Sequence, residues 1–114
     1  MKAEMIDYLR AGLQATSARQ SLIANNIANL NTPGYRRRGV QFERALAEAL
    51  STGKDIEEVM APIVTNSSIE MNEFGNDVDL DQEVGEMVKN TAMYKTYFRM
   101  LGKMMRQMEM AIGQ

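Results

Sequence analysis

The 114-residue chain contains no cysteine and no histidine. Those two absences exclude disulfides, thiolate zinc sites, thiol nucleophiles and every Ser-His or Cys-His catalytic pairing. Tryptophan is missing as well, aromatic residues make up 6% of the chain, and there are only two prolines. No stretch is apolar for long enough to cross a bilayer, and the opening MKAEMIDYLRAG lacks the continuous apolar segment of a signal peptide. The expectation is a protein that stays in the cytosol or is exported by a route that cleaves nothing. At this length one thin-cored domain, residues 1–114, is expected.

Methionine is plentiful, with eleven copies. Flexible thioethers adapt to irregular contacts, so they suit either a helical core or a surface that meets several neighbours. The formal charge is only −2 but is unevenly spread. Residues 1–54 hold eight Lys/Arg against four Asp/Glu, and residues 55–114 hold five against eleven. A basic front and an acidic back fit head-to-tail pairing with copies or relatives, or two solvated surfaces.

Two heptad patterns dominate. Ile6, Leu9, Leu13, Thr16, Gln20, Ile23, Ile27 and Leu30 recur at spacings of three and four, which predicts a helix over residues 4–30. Leu80, Val84, Met87, Thr91, Tyr94, Phe98, Leu101, Met105, Met108 and Ile112 do the same over residues 80–112. At 1.5 Å per residue the second helix is about 48 Å long, a rod rather than a core element. Asp79 fits its N-cap with Gln82 three residues on, Asp81, Glu83 and Glu86 suit its positive end, and Lys103 and Arg106 lie toward its negative end. The predicted fold is mainly α: two long heptad helices paired as an antiparallel coiled coil, with Tyr94, Phe98, Leu101, Met105 and Met108 in the seam.

Residues 31–79 read as loop, short helix and hairpin. Pro33-Gly34 has the order of the central pair of a type II turn. Residues 40–51 fit a short amphipathic helix burying Val40, Phe42, Leu46 and Leu50. Residues 52–79 show no sustained period, and Ile63, Val64, Ile69 and Met71 support only a short hairpin. A helix pair hiding one stripe of each partner is marginal alone, so neighbours are expected to complete the core.

Asn25, Asn26 and Asn29 crowd the end of the first helix, although Asn is an indifferent helix former. Their amides fit either bonding to an adjacent helix or loop, or a solvated helix end. The run ANNIANLNTPGYRRRGVQFERALAEAL, residues 24–50, resembles the N-terminal signature of the flagellar rod and hook axial protein family. A second block, GNDVDLDQE at residues 75–83, is similar to the sequence that introduces the C-terminal helix in the family's proximal rod branch. The resemblance implies a structural subunit of the basal-body rod that transmits torque as part of a helical shaft. It further implies export by the flagellar type III apparatus and a place on the periplasmic side of the basal body. The implied partners are copies of itself, siblings such as FlgC and the adaptor FliE, and through FliE the membrane ring, with no nucleic acid, no small-molecule substrate and no cofactor. Carried over by motif, Asn25, Asn26, Asn29, Thr32, Pro33, Gly34 and Tyr35 form the turn, and Asp79, Leu80, Asp81, Gln82 and Glu83 begin the last helix. FlgC itself is the alternative identity within the family.

Other patterns point elsewhere. Asp77, Asp79, Asp81 and Glu83 alternate like an EF-hand opening, but Gln82 stands where that loop needs Gly and Val88 where it needs Glu. Arg36, Arg37, Arg38 and Arg44 form a basic cluster, which makes a coiled-coil nucleic-acid binder the competing class. No group of carboxylates forms a recognisable catalytic arrangement, and the C-terminal stripe is narrower than a membrane-lying face. The three Arg after the turn are expected to point outward and to meet the acidic cluster at residues 77–86 across neighbouring subunits.

Overall fold

The structure, a computed structural model, describes residues 2–44, 47, 51, 64–66 and 75–113. Helix α1 runs Lys2–Ala28, strand β1 Arg38–Val40, strand β2 Val64–Asn66 and helix α2 Leu80–Ile112. The molecule is elongated, 64 × 28 × 14 Å.

Helix α1 ends where the asparagines begin to bend the chain. The Asn29 amide donates to both Asn25 and Asn26 carbonyls, Leu30 N to Ile27 O at 3.1 Å, and Thr32 N to Asn29 O at 3.0 Å. These shorter-range bonds tighten the last turn, so the helix stops two residues before the expected Leu30. The Tyr35 amide then donates to Thr32 O at 3.2 Å, and Gly34 has φ +77°. A left-handed glycine at the third position of that bonded turn is the type II geometry anticipated for Pro33-Gly34. Helix α2 spans the expected residues, and Asp79 caps it by accepting from the Asp81 and Gln82 amides. Its last turn carries no basic residue, so Lys103 and Arg106 stop short of the end they were expected to complement.

The long helices pack against each other, and their contacts run in opposite order. Asn26 meets Glu83, Thr16 meets Asn90, Gly12 lies under Tyr97, and Ile6 shares a groove with Leu101 and Met108. On α1 the expected seam is largely the buried one, with Leu9, Thr16 and Ile23 buried. On α2 it is rotated. Glu83 and Asn90 are buried, with Met93, Tyr97 and Leu101 half-buried along the same side. Leu80, Val84, Thr91, Tyr94, Phe98, Met105 and Ile112 are exposed, Phe98 at 61% and Ile112 at 81%. The reason is partnership: Glu83 and Asn90 find hydrogen-bonding groups on the opposing elements, and Tyr97 finds a slot over Gly12. A buried polar group is tolerated where such partners stand.

A small apolar cluster of Ala11, Ala15, Val40 and Phe42 adjoins the helix interface, with Ala18, Leu22 and Tyr97 packed against it. Phe42 meets Tyr97 edge to face, with ring centroids 6.3 Å apart. Alanines at 11, 15 and 18 let the chain after β1 approach the helix closely. The expected short helix starts at Phe42, since Val40 belongs to β1; residues 42–44, 47 and 51 are helical, while Leu46 and Leu50 lie outside the described residues. Of the residues expected to support a hairpin, Val64 alone falls among those described. Val64 pairs with Val40, Thr65 with Gly39 and Asn66 with Arg38, antiparallel. Strand β2 therefore pairs back to the segment after the Pro-Gly turn, which offers a strand already held by Asn26; Ile63, Ile69 and Met71 lie outside the described residues.

Candidate functional site

Two surfaces stand out: a polar junction where α1 ends and α2 begins, and the exposed apolar stripe of α2. Fully buried Asn26 is the centre of the first. Its Nδ2 donates to Arg38 O at 2.9 Å and lies 3.3 Å from both Glu83 carboxylate oxygens. Its Oδ1 accepts from the Tyr35 hydroxyl at 2.7 Å and the Arg38 amide at 3.0 Å. One side chain thus clamps β1, the turn and α2 to the end of α1. Burial pushes the Tyr35 phenol above its usual pKa; the Arg38 charge opposes the shift, and Glu83 and Asp77 add to it.

Asn25 and Asn29 serve the turn itself. Asn25 Nδ2 donates to Tyr35 Oη at 3.3 Å, Asn29 Nδ2 to Asn25 O at 2.8 Å, and the Thr32 hydroxyl to Asn29 Oδ1 at 3.1 Å. Pro33 and Gly34 are exposed at its tip.

The arginine run divides. Arg37 is buried, with Nε 2.5 Å from Glu83 Oε1 and Nη2 3.2 Å from Glu86 Oε2. Desolvation lowers the guanidinium pKa, but the bond to Glu83 and the charges of Glu83 and Glu86 outweigh it, so the net shift is upward. The Arg37 amide donates to Asp77 Oδ1, while the buried Oδ2 accepts no hydrogen bond from the described residues and faces Arg36 Nε at 3.9 Å. Arg36 and Arg38 are exposed. The expectation of three outward arginines is therefore corrected at Arg37: three carboxylates beside the turn draw it inward, and basic and acidic clusters meet within one chain.

Several residues of this junction escaped the sequence reading. Asn76, 1% exposed, donates from Nδ2 to the carbonyls of Asn29, Leu30 and Thr32 at 2.9, 3.1 and 2.9 Å, and its Oδ1 takes the Val78 amide at 2.7 Å. It gathers three carbonyls just beyond the end of α1. Asn90 donates to Thr16 O at 2.8 Å and Gln20 Oε1 at 2.9 Å. Arg19 bridges Glu43, Val40 O and Asn90. The available signal was spacing: Glu83, Asn90 and Tyr97 are seven apart, a heptad of their own beside the apolar one.

On the second surface Tyr94 and Phe98 stack at 6.4 Å and 16°, both exposed, and Met105 continues the stripe, while Leu101 and Met108 sit half-buried beside α1. Asp81 is exposed, as is the capping Asp79. Among the described residues no group of His, Cys, Asp and Glu has the arrangement of a metal site, and no helix is long and apolar enough to cross a membrane.

A family model described as "Flagella basal body rod protein" matches residues 6–36, nearly all of α1 and the turn that follows it. The chain is 33% identical over 109 residues to a flagellar basal body rod protein FlgB of Borreliella burgdorferi, covering 78% of this chain and 81% of the relative. It is 32% identical over 110 residues to that of Bacillus subtilis, covering 86% and 85%. Against that of Escherichia coli the identity is 26% over 107 residues, covering 77% and 78%.

Proposed function

Since this chain belongs to the FlgB family of flagellar basal body rod proteins, we propose that its helix pair is a preformed brick whose outer α2 stripe makes the contacts of the rod. The chain is a structural subunit of the flagellar basal body rod, serving motility. Its mechanical task needs a stiff element that does not depend on its neighbours to hold register, and a surface that does depend on them. The polar layers of Asn26, Glu83 and Asn90 provide the first. Tyr94, Phe98 and Met105 provide the second.

The observation that carries this reading is the exposed heptad stripe on a helix whose inner face is already used. Residues spaced by three and four along 33 residues match a helical partner. The expected coiled coil is then completed between subunits, with α1 and α2 of one chain as two of its strands. Partners of this kind are copies of the chain and FlgC-like siblings, with the FliE adaptor joining the first subunits to the membrane ring. A station in the proximal rod, on the periplasmic side, and type III export without cleavage belong to the same proposal.

The basic cluster gives little support to nucleic-acid binding. Arg37 is committed to Glu83 and Glu86, and Arg36 lies beside Asp77.

Phe98→Asp tests the reading. Phe98 is exposed, so the isolated variant keeps its helical circular dichroism. In cells lacking the parent gene it fails to enter purified basal bodies and fails to restore swimming. Incorporation at the parental level would remove the stripe from the assembly surface.

A further inference from the structure

The chain carries neither thiol nor indole, so the thioethers of its eleven methionines are its soft targets for a peroxide. The fold makes those methionines unequal. Met93 is half-buried, and its sulfur accepts from Arg19 Nη1 at 4.0 Å, which occupies a sulfur lone pair. Met87, Met104 and Met108 are half-buried as well. Met105 is 54% exposed, although it stands on the heptad stripe between Phe98 and Ile112. It lines a groove between the helices with Ile6, Leu101, Met108 and Ile112, where Arg10 and Glu109 are the two charged residues of the walls. Met100 and Met110 are exposed at 48% and 68%, but their spacing puts them off the stripe.

From this placement we infer that Met105 is an oxidation site through which a peroxide disables the assembly surface of the unassembled chain. The inference rests on the rod reading of the α2 stripe and adds how that surface is regulated. A lone pair of the Met105 sulfur attacks one oxygen of hydrogen peroxide and the O–O bond breaks. Sulfur keeps that oxygen as the sulfoxide, and the other oxygen leaves as water with both protons. Sulfur loses two electrons and the peroxide gains them. Two thiols reverse the step in the presence of a sulfoxide reductase: the oxygen departs as water and the thiols become a disulfide.

The consequence follows from the site. A thioether is apolar and adapts to a covering side chain, whereas a sulfoxide carries a strong acceptor that an apolar partner surface leaves unpaired. The methionines off the stripe oxidise without this effect, because nothing on the stripe changes.

Two measurements test the inference. Full-length protein is treated with limiting hydrogen peroxide, its helical circular dichroism is checked, and its peptides are followed by mass spectrometry. Met105 gains an oxygen ahead of Met93 and Met108, and sulfoxide reductase with dithiothreitol removes it. In cells lacking the parent gene, Met105→Gln, a polar stand-in for the sulfoxide, enters purified basal bodies about tenfold less than the parent. Met105→Leu, which stays apolar and cannot be oxidised, enters at the parental level, as does Met110→Gln. The inference is overturned if Met105 reacts no faster than Met93, if Met105→Gln enters as the parent does, or if Met105→Leu is excluded too. Exclusion of Phe98→Asp together with parental entry of Met105→Gln removes the oxidation site and leaves the stripe reading standing, whereas entry of Phe98→Asp removes both.

Discussion

Asn26 and Glu83, 57 residues apart in sequence, meet side chain to side chain with Asn26 Nδ2 3.3 Å from both carboxylate oxygens. Both are fully buried, and the same carboxylate holds Arg37. This contact fixes the register of α2 on α1, since a slide by one turn strands a charge and an amide together.

Glu83→Ala should therefore cost about 3–5 kcal/mol, because it leaves a buried guanidinium with only Glu86. Denaturant unfolding followed by circular dichroism measures it. The double variant R37M/E83L should recover most of the loss, since neither charge is then buried. A single variant as stable as the parent would show that the pair is solvated.

Asn76→Ala removes a donor shared by three carbonyls just beyond α1 and should cost about 1–3 kcal/mol. Amide exchange should quicken first at Tyr35 and the residues around the turn, ahead of the middle of α1. Uniform acceleration along the helix would mean that Asn76 adds stability without holding the turn.

Gly12→Ala brings a Cβ within 2.7 Å of the Tyr97 ring, which Phe42 holds edge-on. Overpacking costs about 1–3 kcal/mol, whereas alanine gains about 1 kcal/mol in helix propensity. A net loss is expected, and Tyr97→Leu in the same chain should turn it into a gain by vacating the slot. Thermal melts of the single and double variants decide this.

On the alkaline side the sign follows from Tyr35. Its folded pKa is raised, so its contribution is fully present below the ordinary phenol value and is lost as pH rises through the folded one. Tyr97, also raised by burial, acts in the same direction. Glu43 is opposite: desolvation raises it, but Arg19 outweighs that and the net shift is downward, so its contribution is lost only as pH falls below the usual carboxylate range. Stability should hold through neutrality and fall above about pH 10. Phenolate absorbance and helical signal should change together there, and Tyr35→Phe should flatten the decline.

The two helices were legible because periodicity is a local property: a repeat of three and four along Leu80 to Ile112 states a helix without reference to anything else. The Pro33-Gly34 turn and the Asp79 cap were legible for the same reason, each being a short-range preference of particular side chains. Which stripe of α2 turns inward was not. Apolarity favours Tyr94, Phe98 and Met105, yet Asn90 and Glu83 went in, since their burial depends on acceptors and donors at Thr16, Gln20, Asn26 and Arg37 that sequence distance hides.

The sequence by itself thus determined the two helices, the bounds of α2, the turn and the family signature at residues 24–35, because backbone propensity and capping act within a few residues. Tertiary structure alone decided the register of the pair, the inward course of Arg37 and the pairing of Val64–Asn66 with Arg38–Val40. Those outcomes depend on which polar groups find partners once distant segments meet, and a buried amide or charge is tolerated only where its partners already stand.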